Sequence, residues 1–165
     1  MVSSANARPN LNIRMATAGD IPAIIPIVNA AFAIESFLEG TRTDEERMSA
    51  MMEKGRFLVG EDASGKIVTS LYVEMRGDRA YLGMLAVDPS LQGSGVGRQM
   101  ANAAEDYCRQ RGAKYLDIVV LSLRPELLPI YRKLGFVETG TEEFHPSRPL
   151  KEGLECHGIV MTKNL

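Results

Sequence analysis

The stretch LAVDPSLQGSGVGRQM, residues 85–100, carries the strongest structural signal in the chain. It starts as an apolar strand pattern, passes through a short turn and continues with glycines that open a helical pattern. A glycine-rich loop at a helix start leaves backbone N–H groups unpaired beside the positive end of the helix dipole. Gly93, Gly95 and Gly97 lack Cβ atoms, so the backbone there can curve closely around an anion. The stretch therefore predicts a phosphate-binding loop.

Two common phosphate loops do not match these glycines. A dinucleotide-binding G-x-G-x-x-G that starts at Gly93 needs a third glycine where the chain has Arg98. Asp117 follows at about the distance of the ribose-binding acid in that motif, roughly 20 residues, but it lies inside an apolar run. A Walker A loop needs a lysine and then Ser or Thr after the glycines, and the chain has no such lysine.

A third loop does match. The residues Gln92-x-x-Gly95-x-Gly97, preceded by the segment 85–89, resemble the acyl-CoA pyrophosphate loop of the GNAT-type N-acetyltransferases. A second segment, YRKLGF at 131–136, is similar to the Y-x-K-x-G-F segment that closes the cofactor site in that family. It also follows the loop by one helix and one strand, as in the family. The resemblance implies acetyl-CoA as the acetyl donor.

The remaining patterns predict an α+β fold in one domain. Helix start signals at Thr17-x-x-Asp20 and Thr43-x-x-Glu46 precede segments with helical apolar spacing. Further helices are expected at 95–111 and 126–133. Strands are expected at 11–15, 56–61, 67–75, 80–87, 114–122, 136–143 and 155–162. The strand, helix, strand unit after residue 80 predicts a parallel pair with a right-handed crossover. The expected sheet is therefore GNAT-like: mixed, mostly antiparallel and twisted, with a central parallel strand pair and flanking helices.

Composition narrows the class of protein. The 165 residues, 45% of them hydrophobic, suit a single core, and we expect one domain over 11–165 after a flexible tail at 1–10. A formal net charge of −2 offers no basic surface for nucleic acid. No apolar run approaches the ~20 residues of a membrane span, and residues 1–10 lack the apolar core of a signal peptide. We expect a cytoplasmic protein with no nucleic-acid or membrane partner.

The two cysteines predict neither a disulfide framework nor a metal site. Cys108 falls on an apolar helical stripe and is expected to be a small buried hydrophobe. Cys156 and His157 are neighbours on an expected strand, so their side chains point to opposite faces and cannot act as a nucleophile and base pair. The methionines Met48, Met51 and Met52 are expected to pack in the core.

The resemblance implies that most of residues 85–100 bind acetyl-CoA. It implies that the strand ending at 85–87 diverges from the strand at 115–121 and pairs its free backbone groups with the pantetheine arm. The following loop is then expected to hold the pyrophosphate. Arg124 stands where the family often has asparagine; it can reach a phosphate or an acidic substrate, or stay in solvent. The residues expected to bind the cofactor are Leu85, Ala86, Val87, Gln92, Gly93, Ser94, Gly95, Val96, Gly97, Arg98 and Arg124.

Tyr131 takes the position of the tyrosine that lies near the thioester sulfur in the family, and we expect it to be the general acid. Ordinary pKa values of ~10 for tyrosine and ~8.5 for a thiol favour stabilisation of the developing charge over full proton transfer. The position at which some relatives carry a basic glutamate is Tyr81. Glu74 and Glu35 are the alternative bases, with His157 and water also open. We expect no single carboxylate to be indispensable.

The acceptor groove in this fold is expected between 32–43 and 144–153. Its aromatic residues Phe32, Phe37 and Phe144 are candidates for an apolar pocket, and Arg42 and Arg148 for binding a carboxylate. We favour the simpler alternatives, core packing for the aromatics and solvent for the arginines.

The sequence thus predicts an N-acetyltransferase that carries acetyl from acetyl-CoA to an amine of a small molecule or peptide. The alternative is a catalytically silent acyl-CoA-binding or regulatory domain. The sequence also leaves open whether the chain pairs with a second copy of itself in a homodimer.

Overall fold

The computed structural model describes residues 9–145 and 148–165, and it contains one seven-stranded sheet. The strands lie in the order β1-β2-β3-β4-β5-β7-β6. All neighbours are antiparallel except β4 and β5, which are parallel. The strands are β1 (Asn12–Met15), β2 (Arg56–Glu61), β3 (Ile67–Arg76), β4 (Arg79–Val87), β5 (Tyr115–Leu121), β6 (Val137–Glu143) and β7 (His157–Asn164). The expected meander, central parallel pair and mixed sheet are confirmed.

Helices cover both faces of the sheet. They are α1 (Ile21–Phe32), α2 (Glu45–Lys54), α3 (Val96–Gln110) and α4 (Leu127–Lys133). The apolar stripe of α3, including Met100, Ala104 and Cys108, is fully buried in one core cluster, and α4 packs at its edge. Ile24 and Val28 of α1 and Met48 of α2 lie in a second cluster on the opposite face. Met51 and Met52 are only partly buried against that second cluster.

The two parallel strands, β4 and β5, pair with each other at only one end. Arg79, Ala80 and Tyr81 of β4 pair with residues 115–117 of β5, and the pairing then stops. At the closed end, Arg79 donates two hydrogen bonds of 2.7 Å to Asp117. These bonds are the first cause of the lowered pKa of Asp117. Asp117 is thus part of a cross-strand ion pair, and the ends of β4 and β5 diverge beyond it.

A bulge in β4 accompanies this divergence. The register of β3 against β4 shifts between Ser70 and Tyr72, opposite Met84. Met84 has a φ of 54°, the left-handed region that a non-glycine side chain rarely adopts. Such strain persists where the surrounding structure holds it, often beside a functional site. Since a bulge redirects the strand that carries it, the end of β4 is turned away from β5.

The starts of α1 and α2 differ from the predicted helix starts. The capping box of Thr17 and Asp20 is present, but it opens a short 3-10 turn before α1. The helix signal at Thr43 was one residue early, because Asp44 is the N-cap and accepts from the Arg47 N–H (2.8 Å). Thr43 is instead buried, with its backbone N–H bound by the Asn29 side chain (2.9 Å).

The last strand also differs from the prediction. β7 begins at His157 and runs to Asn164, so Cys156 precedes it. Burial raises the pKa of the Cys108 thiol to about 11, which suits the predicted role as a buried hydrophobe. Residues 1–8 of the expected tail, and 146–147 of the acceptor segment, lie outside the described residues. Within the described residues, none of the helices has the length and apolar character to cross a membrane.

Candidate active site

A cleft of about 1160 Å³ opens where β4 and β5 diverge. Seven of its lining residues belong to the stretch 85–98, which we call the glycine wall. Four other lining residues, which we call the arginine wall, are Glu35, Arg42, Arg124 and Arg148. Small-molecule sites usually occupy roughly 300–1,000 Å³. This cleft is therefore large enough for more than one small ligand group.

The glycine wall presents an open helix N-terminus. Gly93 and Gly95 have φ values of 80° and 90°, which suit glycine because a Cβ is strained there. No side chain caps α3, and Gln99 donates to the Gly95 carbonyl at 3.1 Å. The N–H groups of the first turn before Gln99 remain available to a ligand. Asp88 orders the approach to the loop by accepting from the Ser90 N–H (2.9 Å).

The predicted cofactor residues divide into two groups. Those that line the cleft are Leu85, Val87, Gln92, Gly93, Gly97, Arg98 and Arg124. Ala86 is buried, and its carbonyl accepts from the Thr69 hydroxyl (2.8 Å). Val96 is buried below the loop, whereas Ser94 and Gly95 shape the loop without lining the cleft. A Cβ at Gly97 would come within 3.8 Å of Leu85, filling space at the wall. Left-handed glycines, free helix amides and a nearby arginine fit a diphosphate.

Tyr131 lies on α4 and lines the cleft. Its ring packs edge-on against Phe136, with centroids 6.0 Å apart. Burial raises its pKa, while the charge of Arg124 acts in the opposite direction. Its hydroxyl makes no hydrogen bond to the described residues. A tyrosine held in this way can donate a hydrogen bond to a ligand in the cleft.

The arginine wall is an ion network centred on Glu35. This carboxylate is only 4% exposed and accepts from Arg124 (2.9 Å) and from Arg148 (3.0 Å). Arg124 also donates to Glu126 at 2.6 Å. Burial works against the charge of Arg124, but its bonds to Glu126 and Glu35 outweigh burial and raise its pKa. The expectation of a solvent-exposed Arg148 was wrong, since it is 6% exposed, and Arg124 does not stay in solvent either.

Two chain segments meet behind this network. Leu38 forms an isolated antiparallel bridge with Leu150. The Glu39 N–H donates to the Pro149 carbonyl (2.8 Å), and the Lys151 N–H donates to the Phe37 carbonyl (2.9 Å). The connections after α1 and after β6 are therefore joined by backbone hydrogen bonds.

The aromatic candidates do not behave alike. Phe32 and Phe144 line the cleft and are partly buried, while Phe37 is partly buried but lies outside the cleft lining. The guanidinium of Arg42 also lies over the ring of Phe32, 5.3 Å from the ring centroid. Phe32 also packs against the second core cluster, in agreement with the core packing favoured from the sequence, whereas Phe37 and Phe144 belong to neither described cluster.

The candidate bases lie in different surroundings. Glu74 accepts from the Tyr72 hydroxyl (2.8 Å) and pairs with Arg76, and it does not line the cleft. His157 is exposed at the start of β7, also outside the lining. Glu35 lines the cleft, but both of its oxygens are taken by arginines. Tyr81 lines the cleft and has a pKa raised by burial.

Sequence reasoning missed Glu142. This residue of β6 lines the cleft and makes no hydrogen bond or ion pair with the described residues. Burial is the main cause of the raised pKa of Tyr81, and the charge of Glu142 acts in the same direction. The segment around it, VETGTEE, is exposed throughout and gives no pattern that singles out one glutamate. Among the described residues, no group of three or more His, Cys, Asp or Glu side chains is placed to hold a metal ion.

The family follows from a direct comparison with known proteins. The family model described as an acetyltransferase (GNAT) domain matches residues 29–146, well over half of the chain. The chain belongs to the GNAT acetyltransferase family. A curated relative, the mycothiol acetyltransferase of Propionibacterium freudenreichii subsp. shermanii, is 26% identical over 148 residues. That alignment covers 84% of this chain but 46% of the relative, so the chain spans less than half of that protein.

Solved structures agree on the fold. The ribosomal-protein-S18-alanine N-acetyltransferase of Escherichia coli superposes with a TM-score of 0.74 at 22% identity, covering 94% of each chain. A GNAT superfamily phosphinothricin acetyltransferase of Sinorhizobium meliloti, solved with acetyl-CoA, has a TM-score of 0.73 at 20% identity. This second match covers 94% of our chain and 88% of that chain. At these identities the similarity establishes the fold alone.

Proposed function

We propose that this protein transfers the acetyl group of acetyl-CoA to a primary amine by direct attack within a ternary complex. The observation that carries the proposal is the unbonded Tyr131 hydroxyl in the cleft that the glycine wall borders. A loop that only binds an acyl-CoA has no need of such a donor. Family membership supports acetyl-CoA as the donor.

The glycine wall offers binding groups for successive parts of acetyl-CoA, the pantetheine arm and the diphosphate. The end of β4 at Leu85 and Val87 is unpaired on the side of β5, so its backbone can pair with the pantetheine amides as an added strand would. The helix amides after Gly95 suit the diphosphate, and Arg98 adds a charge-assisted contact. Bound acetyl-CoA supplies an acetyl thioester. We assign Arg124 to the arginine wall, because Glu35 and Glu126 already hold it.

The reaction needs two proton movements. A bond forms between the amine nitrogen and the acetyl carbon, and the carbon–sulfur bond breaks. Tyr131 donates a hydrogen bond toward the leaving sulfur, which then takes up a proton. The amine must lose a proton, and we propose Glu142, directly or through water, as its acceptor. Glu35 is a positioning residue for the arginines, and Glu74 has no place on the cleft.

The acceptor is not identified by the relatives. Their names refer to mycothiol, to an alanine of a ribosomal protein and to phosphinothricin, three different kinds of molecule. Identification therefore has to come from the chemistry of the cleft.

The test is a thiol-release assay with acetyl-CoA and a panel of amino acids, polyamines, aminoglycosides and short peptides. Acetyl-CoA affinity is measured in parallel by calorimetry. We expect tight binding and acceptor-dependent release of thiol. Binding with no turnover on any acceptor would instead favour a silent acyl-CoA-binding domain, and the absence of binding would overturn both readings.

A further inference from the structure

We propose that Tyr81 limits the length of the acyl group that this protein transfers, because its ring closes the inner end of the cleft behind the acetyl group. The inference rests on the proposed acetyl transfer and adds a specificity-determining residue to the same cleft. It makes the acetyl thioester the preferred donor, and propionyl-CoA and longer acyl-CoA thioesters poor donors.

Tyr81 lies at the point where β4 and β5 separate. It is the last residue of β4 that pairs with β5, opposite Asp117. Beyond it, the part of β4 from Leu82 to Val87 pairs with no described residue of β5. A pantetheine arm that adds to β4 as a further strand therefore enters near Val87 and runs toward Tyr81. Because the two strands meet at Tyr81, the acyl group at the end of the arm reaches no further than this residue.

Two tyrosines border this gap from opposite faces of the sheet. Tyr131 packs against the core cluster that contains the apolar stripe of α3, whereas Tyr81 packs against the cluster of α1 and α2. Both residues line the cleft. The proposed function assigns the leaving sulfur to Tyr131. Since the acyl carbon is bonded to that sulfur, an acyl chain that extends across the gap meets the ring of Tyr81.

The ring of Tyr81 lies along β4 and over Gly83. The two residues are two positions apart on a strand, so they share one face of the sheet. A Cβ placed on Gly83 would be 2.7 Å from the Tyr81 hydroxyl oxygen and 3.0 Å from two ring carbons, closer than atoms can pack. The ring thus occupies the space of a side chain at position 83, which also lines the cleft. This is the space that a longer acyl chain needs.

Neighbouring side chains hold this ring in place. The guanidinium of Arg76 lies over it, 4.7 Å from the ring centroid, and the ring of Tyr72 packs edge-on with centroids 6.3 Å apart. Arg76 pairs in turn with Glu74, which accepts from the Tyr72 hydroxyl at 2.8 Å. A ring that is packed on two sides resists displacement by a ligand. Glu74 is therefore a positioning residue for the ring.

The test compares acetyl-, propionyl-, butyryl- and hexanoyl-CoA as donors to the best acceptor of the amine panel, with thiol release as the readout. One methylene group changes recognition by a close-fitting pocket about 10- to 200-fold. We expect the native protein to prefer acetyl-CoA to propionyl-CoA by about 10-fold or more in kcat/KM, and to discriminate more strongly against butyryl-CoA. In Tyr81→Ala, the preference for acetyl-CoA over butyryl-CoA should fall by about 10-fold or more.

Three further variants isolate the bulk of the ring. Tyr81→Phe keeps the ring and removes a hydroxyl that has no hydrogen-bond partner in the described part of the chain, so the preference should stay. Tyr81→Val is a milder truncation that suits a strand, and it should shift the preference in the same direction as alanine. Tyr115→Ala is the matched control, because Tyr115 of β5 lies outside the cleft lining with Arg79 over its ring at 4.6 Å. Thermal unfolding establishes that each variant is folded.

The outcomes distinguish this role of Tyr81 from the proposed function. If the native protein transfers butyryl as well as acetyl, or if both truncations keep the native preference, acetyl transfer stands and Tyr81 does not limit acyl length. A loss of preference in Tyr81→Phe or in Tyr115→Ala would also contradict the role. If no acyl group is transferred to any amine, the proposed function fails. The role of Tyr81 is then tested by calorimetry on the same proteins. Acetyl-CoA that binds more tightly than butyryl-CoA to the native protein, but not to Tyr81→Ala, supports the role, and any other pattern overturns it.

Discussion

The two walls of the cleft are built in opposite ways. The glycine wall comes from one continuous stretch of chain, and its chemistry resides in backbone groups that glycine leaves accessible. The arginine wall comes from residues far apart in sequence, since Glu35 lies 89 residues from Arg124 and 113 from Arg148. The first wall depends on backbone conformation, whereas the second depends on buried charge pairs. Local and remote changes should therefore affect different properties of the protein.

The largest effect is expected on the arginine wall. Glu35→Gln removes the carboxylate that two guanidiniums share, and leaves Arg148 buried beside a neutral side chain. Breaking a buried ion pair on one side costs about 3–5 kcal/mol of unfolding free energy. Urea unfolding measures the change. The matched control is Asp106→Asn, which removes an exposed partner of Arg109 and should cost at most about 1 kcal/mol.

The same variant tests the catalytic role of Glu35. If it is a positioning residue, folded Glu35→Gln protein binds acetyl-CoA normally and keeps measurable turnover with a raised acceptor KM. Near-complete loss of turnover, with folding and acetyl-CoA affinity preserved, would make Glu35 the base and contradict our assignment.

The next effect concerns Tyr131, which lines the same cleft as both walls. Tyr131→Phe removes the hydroxyl that we place at the leaving sulfur, and keeps the ring contact with Phe136. We expect kcat to fall by roughly 10²-fold, a typical contribution of such a donor, with little change in acetyl-CoA affinity. Tyr107→Phe on α3, outside the cleft lining, is the control. Wild-type turnover under conditions where chemistry limits the rate would make Tyr131 a structural residue.

A smaller effect is expected on the glycine wall. Gly95→Val forces a β-branched side chain into a left-handed conformation, at a cost of about 1–3 kcal/mol. We expect acetyl-CoA to bind about 5- to 100-fold more weakly, because the loop relaxes away from the geometry that the diphosphate needs. Calorimetry on the folded variant measures this change.

The other end of the same helix provides the control. Gly112 follows α3 and has a φ of 86°, so Gly112→Val imposes similar backbone strain far from the loop. It should lower stability without changing acetyl-CoA affinity. Equal affinities for Gly95→Val and the native protein would remove the glycine wall from the cofactor site.

The contrast between the walls also explains what the sequence could reveal. The strand, glycine loop and helix of residues 85–110 could be predicted because local spacing determines each of them. Pairings over 89 and 113 residues leave no local pattern, so the expectation of solvent-exposed arginines failed at Arg148. The helix cap moved from Thr43 to Asp44 because Asn29, from another helix, holds the Thr43 backbone. Tertiary contacts outweighed the local signal in both places.

The smallest predicted effect concerns Glu142, which faces the cleft from an exposed strand. Because water also reaches this part of the site, Glu142→Gln should lower kcat/KM by only about 10-fold, below the usual range for a general base. Free amines have a pKa of ~10, so most acceptor molecules are protonated at neutral pH and must lose a proton before they react. At high pH a smaller fraction is protonated. The deficit of the variant should therefore shrink as pH rises. Glu138→Gln, on the same strand but paired with Arg132 and outside the lining, should behave like the native protein. A deficit that is independent of pH would mean that Glu142 binds or orients the acceptor without accepting its proton.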